Sequence, residues 1–264
     1  MNTIEKAGGH LLVDRDGPVV TVTFNRPDAR NAMTWAMYDA LYETCEEVDA
    51  DASVRVLVLR GAGGKAFVAG TDIAQFTAFT GGEDGVQYER DLDRRTGRLA
   101  HVGKPVIAQI QGVAVGGGLA IAAGCDLRVA TPDARFGAPI ARTLGNCLSM
   151  EAYSMYVDLL GASRLKELIL TARLMGAEEA RAAGFVHEIA AADAIEARVR
   201  ELAATLASHA PITMRVTKEA VRRIQAARAI PGGDDLIVQT YGSADFREGV
   251  RAFLDKRPAN WTGR

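Results

Sequence analysis

Residues 106–125 constrain this chain more than any other segment. They carry no charge over about the length that crosses a bilayer. Yet the segment holds Gln109, Gln111 and five glycines, and its pattern changes midway. Val106–Ile110 reads as a buried strand, whereas 116–124 reads as a glycine turn feeding a short apolar helix. A strand, a turn and a helix in sequence belong to the core of an α/β fold, not to a membrane. Length and composition agree. The 264 residues are 48% apolar and 24% charged, an ordinary globular balance that excludes a largely disordered chain. A formal charge of −2 argues against nucleic acid as the main partner. It leaves room for a small phosphorylated ligand held by a few cations.

The rest of the chain follows the same grammar. Residues 11–14 and 19–24 are apolar and β-branched around Asp16, Gly17 and Pro18, so they predict a hairpin. Residues 25–33 form a polar loop, and Thr34 is a good N-cap for a helix over about 35–50. A strand is expected at 54–59, a glycine-rich loop at 61–70, and a short helix or turn opening at Thr71. Residues 83–101 are charged and helix-compatible. Strands at 126–130 and 135–136 follow, then mostly helix from 147, with one strand at 185–189. Pro211 and Pro231 punctuate the last helices. The organisation predicted is an α/β core over 1–200 and a helical region over 201–264. Three cysteines, Cys45, Cys125 and Cys147, make no disulfide framework, and the start of the chain has no secretory pattern. A reducing, cytoplasmic setting is expected, and the four scattered histidines form no metal motif.

Two segments carry most of the chemistry, GGKAFVAGTDI (63–73) and QGVAVGGGLAIAAGCD (111–126). Each follows a strand and enters a helix. Glycine lets backbone N–H groups come close to a ligand, and a helix N-terminus adds unpaired donors. Two such donors converging on one point would stabilise a carbonyl oxygen that gains charge. Tight packing alone also accounts for a triple glycine. A phosphate cradle fits less well. Ile121 stands where the last glycine of G-x-G-x-x-G belongs, and Ala66 after Lys65 breaks a Walker A loop.

With these motifs the chain resembles the enoyl-CoA hydratase/isomerase, or crotonase, family. NRPDARNAM, KAFVAGTDI, QGVAVGGGLAIAAGCDLRVA and EGVRAFLDKRPANW (248–261) carry the resemblance, which spans nearly the whole sequence. It implies a spiral core of ββα units, a helical C-terminal trimerisation region, and a homotrimer or homohexamer. It also implies an acyl-CoA substrate, with coenzyme A part of that substrate and no separate cofactor. The family's oxyanion donors match the backbone N–H of Thr71 and Gly117. Residues 71–74 (Thr71, Asp72, Ile73, Ala74) match the line of the CoA path, Asp72 reading as a helix cap. Arg30 and Lys65 match positions near the CoA phosphates. Phe253 and Lys256 match tail positions that reach a neighbouring subunit's site. For the charged members of this set, ordinary solvated surface charge is the competing reading.

The sequence departs from the family at the reacting centre. The hydratases use two glutamates, and the matching positions here are Ala120 and Ile140. General acid–base groups each contribute about 10²–10⁴-fold, so hydration of a simple enoyl-CoA is expected to be inefficient. Enolate chemistry that needs one acid elsewhere, such as isomerisation, decarboxylation or hydrolysis, remains open, as does acyl-CoA binding without turnover. Arg142, Asn146 and Cys147 fall near the expected acyl pocket. Arg142 suits a carboxylate on the acyl group and Asn146 a hydrogen bond; Cys147 needs a lowered pKa to act. The competing reading is a reshaped loop with Asn146 or Ser149 as an N-cap. The charged 83–95 stretch, with Glu89, Asp91 and Asp93, reads as a solvated helix face, with a place near the acyl end as the alternative.

Overall fold

The structure, a computed structural model, describes residues 3–228 and 230–264. Two sheets are built by one repeating path. A strand in the larger sheet is followed by a strand in the smaller one and then by a helix. Val56–Gly61 is followed by Ala66–Val68 and the helix Gly82–Ala100. Val106–Ile110 is followed by Val113–Val115 and Gly117–Gly124. Leu127–Ala130 is followed by Arg135–Gly137 and Ile140–Thr143. This is the spiral of ββα units that the resemblance implies.

The larger sheet runs Ile4–Lys6, Leu11–Asp16, Val19–Phe24, Val56–Gly61, Val106–Ile110, Leu127–Ala130, Glu188–Ile189. Its first two pairings are antiparallel and the rest parallel. The smaller runs Met175–Gly176, Arg135–Gly137, Val113–Val115, Ala66–Val68. Val106–Ile110 is buried at every position, as a central parallel strand covered on both faces must be. The hairpin and the helix Trp35–Ala50 form where the sequence places them, and the Thr34 side chain accepts the Met37 N–H.

Two expectations are corrected. The glycine-rich stretch 61–70 is not all loop, because Ala66–Val68 pairs with Val113–Val115. Three residues between glycines are too short for a periodicity to register. The strand at 185–189 shrinks to Glu188–Ile189. The N–H groups of Phe185 and Val186 instead donate to the Ala180 carbonyl and close the preceding helix.

The last helices fold back over the first half. Ile237, Tyr241, Phe246 and Val250 pack into one apolar cluster with Phe76, Val86, Tyr88 and Leu144. Gly82 and Gly85 allow that approach. A Cβ at Gly82 would lie 2.5 Å from the Val238 carbonyl oxygen, and one at Gly85 2.3 Å from the Tyr241 ring. No helix among the described residues is long and apolar enough to cross a membrane.

Candidate functional site

The two glycine-rich segments meet. Met33 and Thr71 form an isolated parallel bridge in which Met33 N–H donates to Gly70 and Asp72 N–H donates to Met33. That pattern leaves the Thr71 N–H out of the ladder, and it donates to no described residue. Gly116 N–H donates to Gly137 and Ala120 N–H to Gly116. Gly117 opens the helix between them, and its N–H likewise has no acceptor among the described residues. A Cβ on Gly117 would sit 3.4 Å from Thr71 Oγ1, so residues far apart in sequence are neighbours. The glycines serve distinct ends. Gly116 takes φ +55°, Gly117 leaves room for the Tyr38 hydroxyl, and Gly118 lies against the Val68 carbonyl. Tight packing thus accounts for the absence of a side chain at both Gly117 and Gly118.

Three hydroxyls surround this point. Thr71 Oγ1 shares hydrogen bonds of 3.0 Å with Tyr38 and with Tyr88. Burial raises both phenol pKa values, so both keep their protons. Three hydroxyls have three protons for two mutual bonds, which leaves at least one proton uncommitted within the trio. Asp72 caps the short helix Ile73–Ala78 by accepting the Ala74 N–H at 3.2 Å, and its other oxygen pairs with Arg26 at 3.1 Å. It is a cap, as the sequence suggested. The Arg26 loop is anchored by buried Asn31, whose amide donates to Ala62 and Ala66 carbonyls.

The flanking cations lie at the surface. Arg30 follows the turn Pro27–Ala29 and is exposed, as is Lys65. Their segments touch: a Cβ on Gly63 would lie 2.8 Å from Pro27. Phe253 and Lys256 are exposed near the end of the last helix, Ala244–Leu254.

One helical turn beyond Gly117, Ala120 opens onto a cavity of about 710 Å³, lined also by Glu89, Asp93 and Ser149. Glu89 and Asp93 stand one helical turn apart on Gly82–Ala100. Glu89 is only 2% exposed. Tyr241 O–H donates to Glu89 Oε1, and Ser149 N–H donates to Oε2 at 3.2 Å. Ser149 Oγ donates to Asp93 Oδ1 at 2.8 Å. Burial pushes the Glu89 carboxyl up to about 8, the Asp93 charge pushes in the same direction, and the two donors oppose them. Burial likewise raises Asp93 to about 7 against the Ser149 bond. Among the described residues neither carboxylate has an ion-pair partner, and no group of three or more metal-ligating side chains is gathered.

Comparison with known proteins decides the family. A model of the enoyl-CoA hydratase/isomerase family matches residues 14–264. The chain belongs to the enoyl-CoA hydratase/isomerase family. The short-chain-enoyl-CoA hydratase of Clostridium acetobutylicum is 31% identical over 251 residues, covering 94% of this chain and 95% of that relative. Among solved structures, an enoyl-CoA hydratase/carnithine racemase from Magnetospirillum magneticum superposes with a TM-score of 0.80 at 31% identity, covering 98% and 97% of the two chains. A methylmalonyl-CoA decarboxylase in complex with 2-nitronate-propionyl-CoA gives 0.89 at 26%, covering 97% and 99%.

Ala120 is 7% exposed and lines the cavity one turn beyond Gly117. Ile140 is buried at the start of Ile140–Thr143. Arg142 is exposed, makes no ion pair with a described residue, and does not line the cavity. Asn146 Nδ2 donates to the Tyr241 oxygen at 3.1 Å and its Oδ1 is buried without a partner. Ser149 is the N-cap of Met150–Leu160. The Cys147 thiol is pushed up to about 11 by burial, which keeps it a thiol at neutral pH.

The reading of 83–95 as a solvated face is corrected. Its Glu89 is buried by the Asp234–Tyr241 helix, which sequence periodicity cannot place. Tyr38, Tyr88, Ser149 and Tyr241 were not legible as site residues. The one available signal was GGEDG (81–85), glycines at the start of a charged helix, which marks a close approach.

Proposed function

We propose that this chain binds an acyl-CoA and stabilises its thioester enolate between the backbone N–H groups of Thr71 and Gly117. One observation carries the reading: both N–H groups lack an acceptor among the described residues, on segments in contact. Two preset donors cost no reorganisation as the carbonyl oxygen gains charge. Residues 71–74 would line the CoA path. Arg30 and Lys65 on adjoining turns would meet its phosphates, with Phe253 and Lys256 contributed across a subunit boundary. Three free cysteines fit action in a reducing cytoplasm.

Among the reactions open to an enolate, a proton shift in a neutral acyl chain is best supported. Ala120 and Ile140 supply no proton, so the paired-glutamate route of hydration lacks its groups. The cavity wall carries Glu89, Asp93, Glu151, Asp158 and Asp234 against Arg90 and Arg222. Arg90 is paired with Asp234 and Arg222 with Glu219, so among the described residues the wall offers no unpaired arginine or lysine to a carboxylate on the acyl group, which argues against decarboxylation despite the decarboxylase's similar fold. The reading is therefore a double-bond isomerase of the family.

Purified protein should convert a 3-enoyl-CoA to its conjugated 2-enoyl isomer, read as rising thioester absorbance, far faster than it hydrates crotonyl-CoA. Turnover of crotonyl-CoA at about 10 s⁻¹ or more, typical of enzymes, would instead establish a hydratase. Tight acyl-CoA binding with no turnover on any of these substrates would establish a binding protein.

A further inference from the structure

We infer that Glu89 is the proton-transfer residue of this site, facing Ala120 across the cavity, with Asn146, Tyr241 and Ser149 as its positioning residues. The inference rests on the enolate reading above and names the group that moves the proton.

The geometry is directional. Asn146 Nδ2 donates to the Tyr241 oxygen, so the single Tyr241 proton is turned toward Glu89. Ser149 N–H holds the second carboxyl oxygen. The carboxyl is thus fixed in place before a ligand arrives. Tyr88, the residue before it, bonds Thr71 Oγ1, so one helix supports both the oxyanion point and the carboxyl. Gly85, one turn earlier, gives the Tyr241 ring the space to reach Glu89. Asp93 is tied to the same serine and shares the cavity wall. A buried carboxylate without a cation is costly, so the site favours the protonated acid yet keeps a base within reach of neutral pH.

The step balances. Ionised Glu89 takes a proton from the carbon next to the thioester. The C–H electron pair enters the new C–C double bond, and the carbonyl pair moves to the oxygen held by Thr71 and Gly117. Returning the proton to the same carbon restores the thioester. Returning it to the γ-carbon of a 3-enoyl chain gives the 2-enoyl isomer, with Glu89 ionised again.

Butyryl-CoA in D₂O tests this, because it enolises without being hydrated. Mass spectrometry reads α-deuterium incorporation, and calorimetry reads butyryl-CoA binding. Wild type should bind and exchange. Glu89→Gln should bind as well and exchange about 10²–10⁴-fold more slowly, the contribution of one acid–base group. Glu89→Asp should recover part of the rate. Tyr241→Phe should move the pH profile of exchange upward, since it removes a donor that holds the carboxylate down. Exchange by Glu89→Gln close to wild type overturns the inference and leaves the enolate reading standing. Wild type that binds and exchanges nothing overturns both. If Glu89→Gln does not fold, an unshifted profile in Tyr241→Phe decides against Glu89.

Discussion

At the scale of single residues, Gly117 and Tyr38 are set against each other. A Cβ at position 117 would lie 2.1 Å from the Tyr38 hydroxyl oxygen and 3.4 Å from the ring carbon that bears it. Gly117→Ala should therefore destabilise the protein by about 1–3 kcal/mol, the usual cost of overpacking. Removing only the hydroxyl, in Gly117→Ala with Tyr38→Phe, should return most of that stability, as thermal denaturation would show. Glu89 and Asp93 give a second residue-scale outcome. Both carboxyls hold protons in the folded protein that the unfolded chain releases, because their pKa values stand near 8 and 7. Stability from these protons is complete below about pH 4 and is lost as pH rises through about 7 and 8. Tyr38, Tyr88, Tyr156 and Tyr241 face Glu89 as neutral phenols in that range. Glu89→Gln should thus be the more stable protein at pH 9, on the order of a few kcal/mol, and show a flatter melting temperature between pH 5 and 9. Cys147, with its thiol near 11, should resist alkylation at pH 7 in the native protein.

At the scale of elements, the helices Gly82–Ala100 and Asp234–Tyr241 stand or fall together. Gly85 meets the base of the Tyr241 ring, a part of the side chain that has little freedom to swing away. Gly85→Ala should lower the melting temperature, by about 1–3 kcal/mol of stability, and speed proteolysis after residue 226. Replacing the ring as well should restore the helix packing and not the placement of Glu89. This pair also marks the limit of what sequence conveys. The central strand Val106–Ile110 is legible because every position but Gln109 is apolar, and Thr34 and Ser149 are legible as caps because their side chains act within one turn. The turn at Gly116 is legible as a strand-to-helix turn for the same local reason. The burial of Glu89 is not legible, because it comes from a helix about 150 residues further on. A charged helix face and a carboxyl sealed under tyrosine have the same local pattern. The strand Ala66–Val68 escaped because it has three residues and one partner along most of its length.

At the scale of the whole molecule, the helix Pro211–Ala226 is bound to its own body on one side only. Lys218 pairs with Asp126 and donates to the Lys104 carbonyl. Ile212, Val216, Ala220 and Ile224 recur every fourth residue along another stripe and are exposed. No residue of this helix is buried. Isolated apolar side chains on a surface are ordinary, but an aligned row of them on a long helix marks an interaction face. The expected occupant is the same stripe region of further copies, closing a trimer by rotation. Light scattering on the purified protein should then give three or six times the chain mass. Val216→Glu with Ile224→Glu should reduce it to one chain, since a buried interface does not accept unpaired carboxylates. The consequence reaches the site. If Phe253 and Lys256 serve a neighbour's CoA, the monomeric variant should lose acyl-CoA affinity while Tyr38, Thr71 and Gly117 remain untouched. A monomer that binds acyl-CoA as tightly as wild type would show that each chain carries a complete site. A wild-type protein that is itself monomeric would assign the stripe to some other contact.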